Sequence, residues 1–105
     1  MKLADDQLAS CYETGASPRV SALARRAGMS IDRFSKLFLR EVGVRPAGYL
    51  KRRQMERGKT LLVRTNWSVA DIASACCILN PETFFRLFRQ VVRMTPAAYR
   101  RLHKM

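Results

Sequence analysis

Val20-Ser-Ala-Leu23-Ala24-Arg-Arg-Ala27-Gly28-Met29 returns 49 positions later as Val69-Ala-Asp-Ile72-Ala73-Ser-Ala75-Cys76-Cys77-Ile78, with apolar and small residues in the same places. After one extra residue in the turn that follows, Phe34, Phe38, Val42, Pro46, Ala47 and Tyr49 return 50 positions later as Phe84, Phe88, Val92, Pro96, Ala97 and Tyr99. Spacing matched over that length decides the architecture. A solenoid needs about three or more repeats to bury its faces, so two copies make a pair of small lobes rather than an array.

Working outward, apolar residues recur at helical spacing almost everywhere, and no stretch alternates as a strand does. The expected fold is all-α. A first helix runs near 3–14, with Leu3, Leu8, Cys11 and Tyr12 as its packed face, and Gly15 and Ser17-Pro18 interrupt it. Short helices follow near 20–27 and 31–42. Pro46 opens a long helix to about Arg64, because proline's missing N–H costs nothing in a first helical turn. The second copy repeats the pair near 69–76 and 81–92, and Thr95-Pro96 caps a last helix to about 103. Ser68-Val-Ala-Asp71 has the residue types of a capping box, with Asp in the usual Glu position. The result is about seven helices: one lobe at 3–45, a linking helix at 46–65 and a second lobe at 66–105.

The 105 residues include 20 Lys and Arg against 8 Asp and Glu, a formal charge of +12. The first 15 residues hold Lys2 against Asp5, Asp6 and Glu13, a net of −2, so the remainder carries +14. A polyanion is the natural partner for that remainder. Nucleic acid fits better than an anionic membrane surface, because the helices have defined buried faces and no Trp-rich stripe suited to lipid. There is no apolar run of membrane length, and no basic stretch leading into an apolar core at the N-terminus. A cytoplasmic, nucleoid-associated protein without a membrane partner is therefore expected. Cys11, Cys76 and Cys77 form an odd set with two adjacent members, a poor disulfide framework, and no further Cys or His stands at zinc-ligand spacing. They read as reduced core thiols. His103 is the only histidine and has no nucleophile arrangement around it, so neither an enzyme nor a cofactor or metal site is indicated.

Each copy has a short helix, a tight turn and a longer helix, the outline of a helix-turn-helix whose second helix suits a major groove. At 100° per residue from Phe34, Leu37, Phe38 and Val42 share one side, while Asp32, Arg33, Lys36 and Arg40 share the other. In the second copy Phe84, Leu87, Phe88 and Val92 face inward, and Glu82, Thr83, Arg86, Arg89 and Gln90 face out. A polar outer face is also what any solvated helix shows.

Two stretches carry a resemblance. Leu23-Ala24 through Ser30, continuing from Phe34 to Leu50, resembles the first helix-turn-helix of the DNA-binding domain of the AraC/XylS family of bacterial transcriptional regulators. Ser68-Val69-Ala70-Asp71-Ile72-Ala73, then Phe84 to Arg89 and Pro96 to Arg100, resembles the family signature around its second. The resemblance covers about residues 3–102. It implies a homeodomain-like fold of two helix-turn-helix subdomains joined by a long central helix, and sequence-specific binding of double-stranded DNA for transcription regulation. It further implies base contacts from Asp32, Arg33, Ser35 and Lys36 in the first half and from Glu82, Thr83, Phe85 and Arg86 in the second. Lys and Arg suit guanine, carboxylates accept from cytosine N4, and an apolar group meets a thymine methyl. Each has a rival reading: Asp32 and Glu82 sit where they also complement a helix dipole, and Phe85 lies at the edge of the packed face. RNA polymerase, and a sensing or dimerisation domain outside these residues, stay open as further partners.

The second half departs from the family pattern. Cys77 stands where a turn glycine matching Gly28 is usual, Ile78 where Phe is usual, Pro81 where a polar residue is common, and Arg93 where Gly43 ends the first recognition helix. Asn80-Pro81 still supplies an N-cap and a good first helical residue. Arg40, Lys51, Arg52, Arg53, Arg57, Arg89 and Gln90 are phosphate-contact candidates, two or three of those on the long helix being expected to reach the backbone. That helix, about 28 Å long for its 19 residues, is of the right length to hold two recognition helices in successive major-groove segments about 34 Å apart. Gly58 lies mid-helix, where it serves either close packing or bending. The alternative is a structural, nucleoid-type binder that neutralises DNA without choosing sequence.

Overall fold

The computed structural model describes residues 2–104, and among these it contains seven α-helices and no strand. They are α1 (Lys2–Thr14), α2 (Val20–Arg26), α3 (Ile31–Val42), α4 (Pro46–Arg64), α5 (Val69–Ala75), α6 (Pro81–Val92) and α7 (Pro96–His103). Every expected helix is present, with ends within one residue of those read from periodicity and caps. The chain divides into two compact units, Met1–Lys51 and Arg52–Met105, so the long helix is shared between them.

The first unit closes over Ala4, Leu8, Leu23, Ala24, Phe34, Phe38 and Leu50, with Leu3, Tyr12 and Tyr49 at the margin. Phe38 packs between Phe34 at 5.7 Å and the edge of Tyr49 at 5.6 Å. The second unit repeats this with Met55, Leu62, Ile72, Ala73, Cys76, Ile78, Phe84 and Phe88 buried. Phe88 stands 5.7 Å from Phe84 and 5.6 Å from the edge of Tyr99, so the sequence repeat extends to ring geometry. Leu50, early in α4, belongs to the first core, while Met55 and Leu62 belong to the second. Helix α4 is thus core in both units over successive parts of its length.

The turn before each recognition helix is the same Schellman turn. Met29 N–H donates to Ala24 C=O at 2.9 Å and Gly28 N–H to Arg25 C=O at 3.0 Å; Ile78 to Ala73 and Cys77 to Ser74 do likewise, each at 3.0 Å. Gly28 has φ +71°, and Cys77 takes the same left-handed conformation at +63°. A side chain there costs roughly 1–2 kcal/mol, so the departure seen in the sequence is real backbone strain. Arg93 repeats it at φ +71°, where Gly43 has +90°.

Gly58 serves close packing. A Cβ there would lie 2.9 Å from Phe84 Cζ and 3.0 Å from its Cε1, and Phe84 is fully buried. Gly58→Ala, which favours an ordinary helix interior by roughly 1 kcal/mol, is therefore expected to destabilise this protein by about 1–3 kcal/mol. Arg93→Gly, at an exposed left-handed position, is expected to stabilise it by about 0.5–1 kcal/mol. Urea midpoints at unchanged m-value check both.

Cys11, Cys76 and Cys77 are buried and form no disulfide, as their spacing suggested. Burial pushes the Cys76 thiol up from 9.0 to about 12, opposed by Arg57 and assisted by Cys77. Above pH 9 the unfolded chain gives up this proton while the folded one keeps it, so the Cys76 contribution to stability is lost as pH rises from about 9 to about 12. The stability gap between wild type and Cys76→Ala, measured by denaturant titration at stepped pH, is expected to narrow across that window.

Candidate nucleic-acid interface

Helices α3 and α6 begin on side-chain caps. Ser30 Oγ accepts from Arg33 N–H at 3.1 Å, and Asn80 Oδ1 accepts from Glu82 N–H at 2.8 Å, with Pro81 in the first turn. The caps satisfy backbone donors that the first turn cannot satisfy itself. Phe34 and Phe38 on one helix, Phe84 and Phe88 on the other, fix which side is buried. The remaining side is what each unit presents.

On α3, Asp32, Arg33, Lys36 and Arg40 are exposed and line one shallow depression with Met29 and Leu37; Ser35 is half-buried. On α6, Glu82, Phe85, Arg86, Arg89 and Gln90 are exposed, and Thr83 is half-buried. Phe85, Arg86, Arg89 and Gln90 line a depression of their own. Phe85 is 42% exposed and outside the buried core, which disposes of its rival reading as a core residue. Periodicity had not marked two apolar residues on α3: Ile31 is 53% and Leu39 41% exposed. Nor had it marked the ion pair between Asp32 and Lys36, at 3.1 Å, although their spacing of four is a helical signal for one.

The cations of α4 differ from one another. Lys51, Arg52 and Arg53 are exposed. Arg57 is half-buried, and its Nε donates to Ala75 C=O at 2.9 Å, while the buried Gln54 donates through Nε2 to Cys76 C=O at 2.8 Å. These two side chains brace the strained turn of the second unit. At the C-terminal end of α4, Arg100 donates through Nε to Leu62 C=O and through Nη2 to Thr65 C=O. Lys104 Nζ donates to Thr65 C=O at 2.6 Å and also to Asn66 Oδ1. Cations at a helix C-terminus are favourable in themselves, so part of the positive charge serves the fold.

A capped helix, buried along its Phe stripe and polar outside, follows a tight turn from a shorter helix in both units. That arrangement defines a duplicated helix-turn-helix protein. The family model described as a helix-turn-helix domain matches residues 23–102. A helix-turn-helix-type transcriptional regulator of Mycobacterium tuberculosis is 36% identical over 87 residues, 83% of this chain and 34% of that protein. The regulatory protein PocR of Salmonella typhimurium is 33% identical over 82 residues, 78% of this chain and 27% of its own length. The C-terminal domain of the two-component response regulator yesN from Fusobacterium nucleatum superposes with a TM-score of 0.85 at 25% identity, covering 94% of this chain and 95% of that one. The DNA-binding domain of the global transcriptional factor AdpA, solved in complex with a target DNA, gives 0.82 at 28% identity, covering 94% and 90%. The chain belongs to the AraC-type helix-turn-helix family. It spans only about a third of the first relative's length and about a quarter of the second's.

The bond from Arg57 yields a prediction that needs no nucleic acid. Arg57→Ala is expected to lower stability by about 1–3 kcal/mol, because it strips a partner from the Ala75 carbonyl. Arg52→Ala, on the exposed part of α4, is expected to change it by less than about 0.5 kcal/mol. Chemical denaturation of both variants compares them directly.

Proposed function

We propose that this chain binds double-stranded DNA sequence-specifically as the DNA-reading part of a transcription regulator, each unit laying its recognition helix, α3 or α6, in a major groove. The observation that carries this reading is the pairing of two capped helices, each buried along its Phe stripe and each presenting charged and polar groups on its outer side. Membership of the AraC-type family supports it. Asp32, Arg33, Ser35 and Lys36, with Glu82, Thr83, Phe85 and Arg86, are the proposed base readers. Arg40, Lys51, Arg52, Arg53, Arg89 and Gln90 are the proposed phosphate contacts. Arg57 joins them only through guanidinium nitrogens other than the one it gives to Ala75.

The two helices take successive major-groove segments in this proposal, so the preferred site is asymmetric. No catalytic step is part of the function. RNA polymerase, and a sensing or dimerisation domain elsewhere in a longer parent protein, are proposed partners on the strength of the family alone. No helix among the described residues is long and apolar enough to cross a membrane; action in the cytoplasm, at the nucleoid, belongs to the same proposal.

Selection from random duplexes followed by footprinting tests the function. One asymmetric site protected over two adjacent segments is expected; equal affinity for selected and random duplex at stated salt would instead mean a structural binder. The logarithm of affinity should fall with the logarithm of salt with a slope of about −0.9 per phosphate contact, for roughly 5–8 contacts. Arg52→Ala should weaken selected and random duplex alike and reduce the slope by about one unit. Arg86→Ala should cost about 1–3 kcal/mol on the selected site alone, by relaxing one base position.

A further inference from the structure

The outer side of α3 opens with a carboxylate. Asp32 lies in the first turn, and its Oδ2 stands 3.1 Å from Lys36 Nζ one turn later, the two side chains being 79% and 78% exposed. A pair this exposed contributes little to stability; the Ser30 cap and the buried Phe34 and Phe38 hold this helix. The second copy has the same residue types at the same spacing, with Glu82 in the first turn of α6 and Arg86 one turn later, both exposed. A negative charge placed twice on the side proposed to meet a polyanion calls for a chemical reason.

An ionised carboxylate only accepts hydrogen bonds, and so do phosphate oxygens. Facing a duplex, it has as partners only the exocyclic amino groups in the major groove, cytosine N4 and adenine N6. The cation beside it needs the opposite, an acceptor such as guanine O6 or N7. A C·G pair offers both side by side: cytosine N4 and guanine O6 are hydrogen-bonded to each other at about 2.9 Å, close to the spacing of the Asp32 and Lys36 head groups. An A·T pair fits worse, because the adenine amino group lies between two acceptors, adenine N7 and thymine O4, both of which repel a carboxylate.

We propose that Asp32 and Lys36 act as one couple that reads a single C·G base pair, the carboxylate accepting from cytosine N4–H and the ammonium donating to guanine O6 or N7. Glu82 and Arg86 form the second such couple on α6. The proposal rests on the DNA-binding reading above and assigns its base class. Asp32 then works as a filter as well as a contact: where a base pair turns an acceptor rather than its amino group toward the carboxylate, the two repel, which lowers affinity for random duplex. A carboxylate present only to complement the helix dipole has no such dependence on bases.

The test uses the whole chain and the duplex recovered by random-site selection. Each C·G pair of that duplex is changed in turn to the other three, and each guanine in turn to 7-deazaguanine, which removes N7, and to 2-aminopurine, which removes O6. Wild type is expected to lose about tenfold or more in affinity when one particular C·G pair is changed. Asp32→Asn is expected to cut that discrimination to about threefold or less, at that pair alone, and to bind random duplex more tightly than wild type. Lys36→Met is expected to lose sensitivity to whichever of these guanine replacements weakens wild type at the same pair. If Asp32→Asn alters thermal stability but leaves every base preference intact, the carboxylate serves the helix dipole and the couple is refuted. The guanine scan on wild type stands even where a variant fails to fold, and a selected site insensitive to both replacements at every guanine also refutes the couple. A protein that selects no duplex over random DNA refutes the DNA-reading function itself, a separate result.

Discussion

Two phenylalanines one turn apart, closed against the edge of a tyrosine that follows the recognition helix, hold each unit together. Phe34, Phe38 and Tyr49 in the first, and Phe84, Phe88 and Tyr99 in the second, have nearly the same ring spacings. Two buried phenylalanine rings with a half-buried tyrosine at their edge make a large apolar contribution in one place of each unit. Once these rings are enclosed, the rotation of α3 or α6 about its own axis is fixed, and so is the set of residues left outside. Tyr49 is tethered in turn by its hydroxyl, which donates to Asp5 Oδ1 at 2.7 Å and ties the leading helix to the same cluster.

The copies differ in how they make their turns. The first uses glycine where the backbone goes left-handed, at Gly28 and Gly43; the second puts Cys77 and Arg93 there. The second unit also carries Gln54 and Arg57, whose side chains hold the carbonyls of Cys76 and Ala75. A turn that is intrinsically less favourable persists when the structure around it over-determines it. Cys77 is itself buried, so the side chain that strains the turn also fills space in the unit.

Much of this was legible in the residues because it is local. The 3.6-residue period of Phe34, Leu37, Phe38 and Val42 locates the inner side of α3, and Ser68, Asn80 and Thr95 announce helix starts within a few positions of themselves. Each of the three does accept a backbone N–H. Long-range bonds were not legible. The reach of Arg57 to a carbonyl 18 residues away, and of Arg100 to one 38 away, depends on how helices are brought together, so Arg57 read as a phosphate-contact candidate and Arg100 only as part of the family signature. Gly58 could be read as packing or bending until Phe84 was seen beside it. The exposure of Ile31 and Leu39 was not drawn from the sequence, where only Leu37, Phe38 and Val42 were placed on the inner side of α3.

The clearance at Gly58 has a bearing on divergence within such proteins. Phe84 rests where a methyl group on residue 58 would have to be, and Phe84 is also what seats α6. The pitch at which α6 presents its outer residues is thereby tied to a hydrogen atom on another helix, at a buried position. Two relatives with identical outer residues on α6 but glycine in one and alanine in the other at this position would aim them differently. Likeness of the outer residues alone is then an unsafe guide to likeness of preference, and the better guide includes the buried pair beneath them.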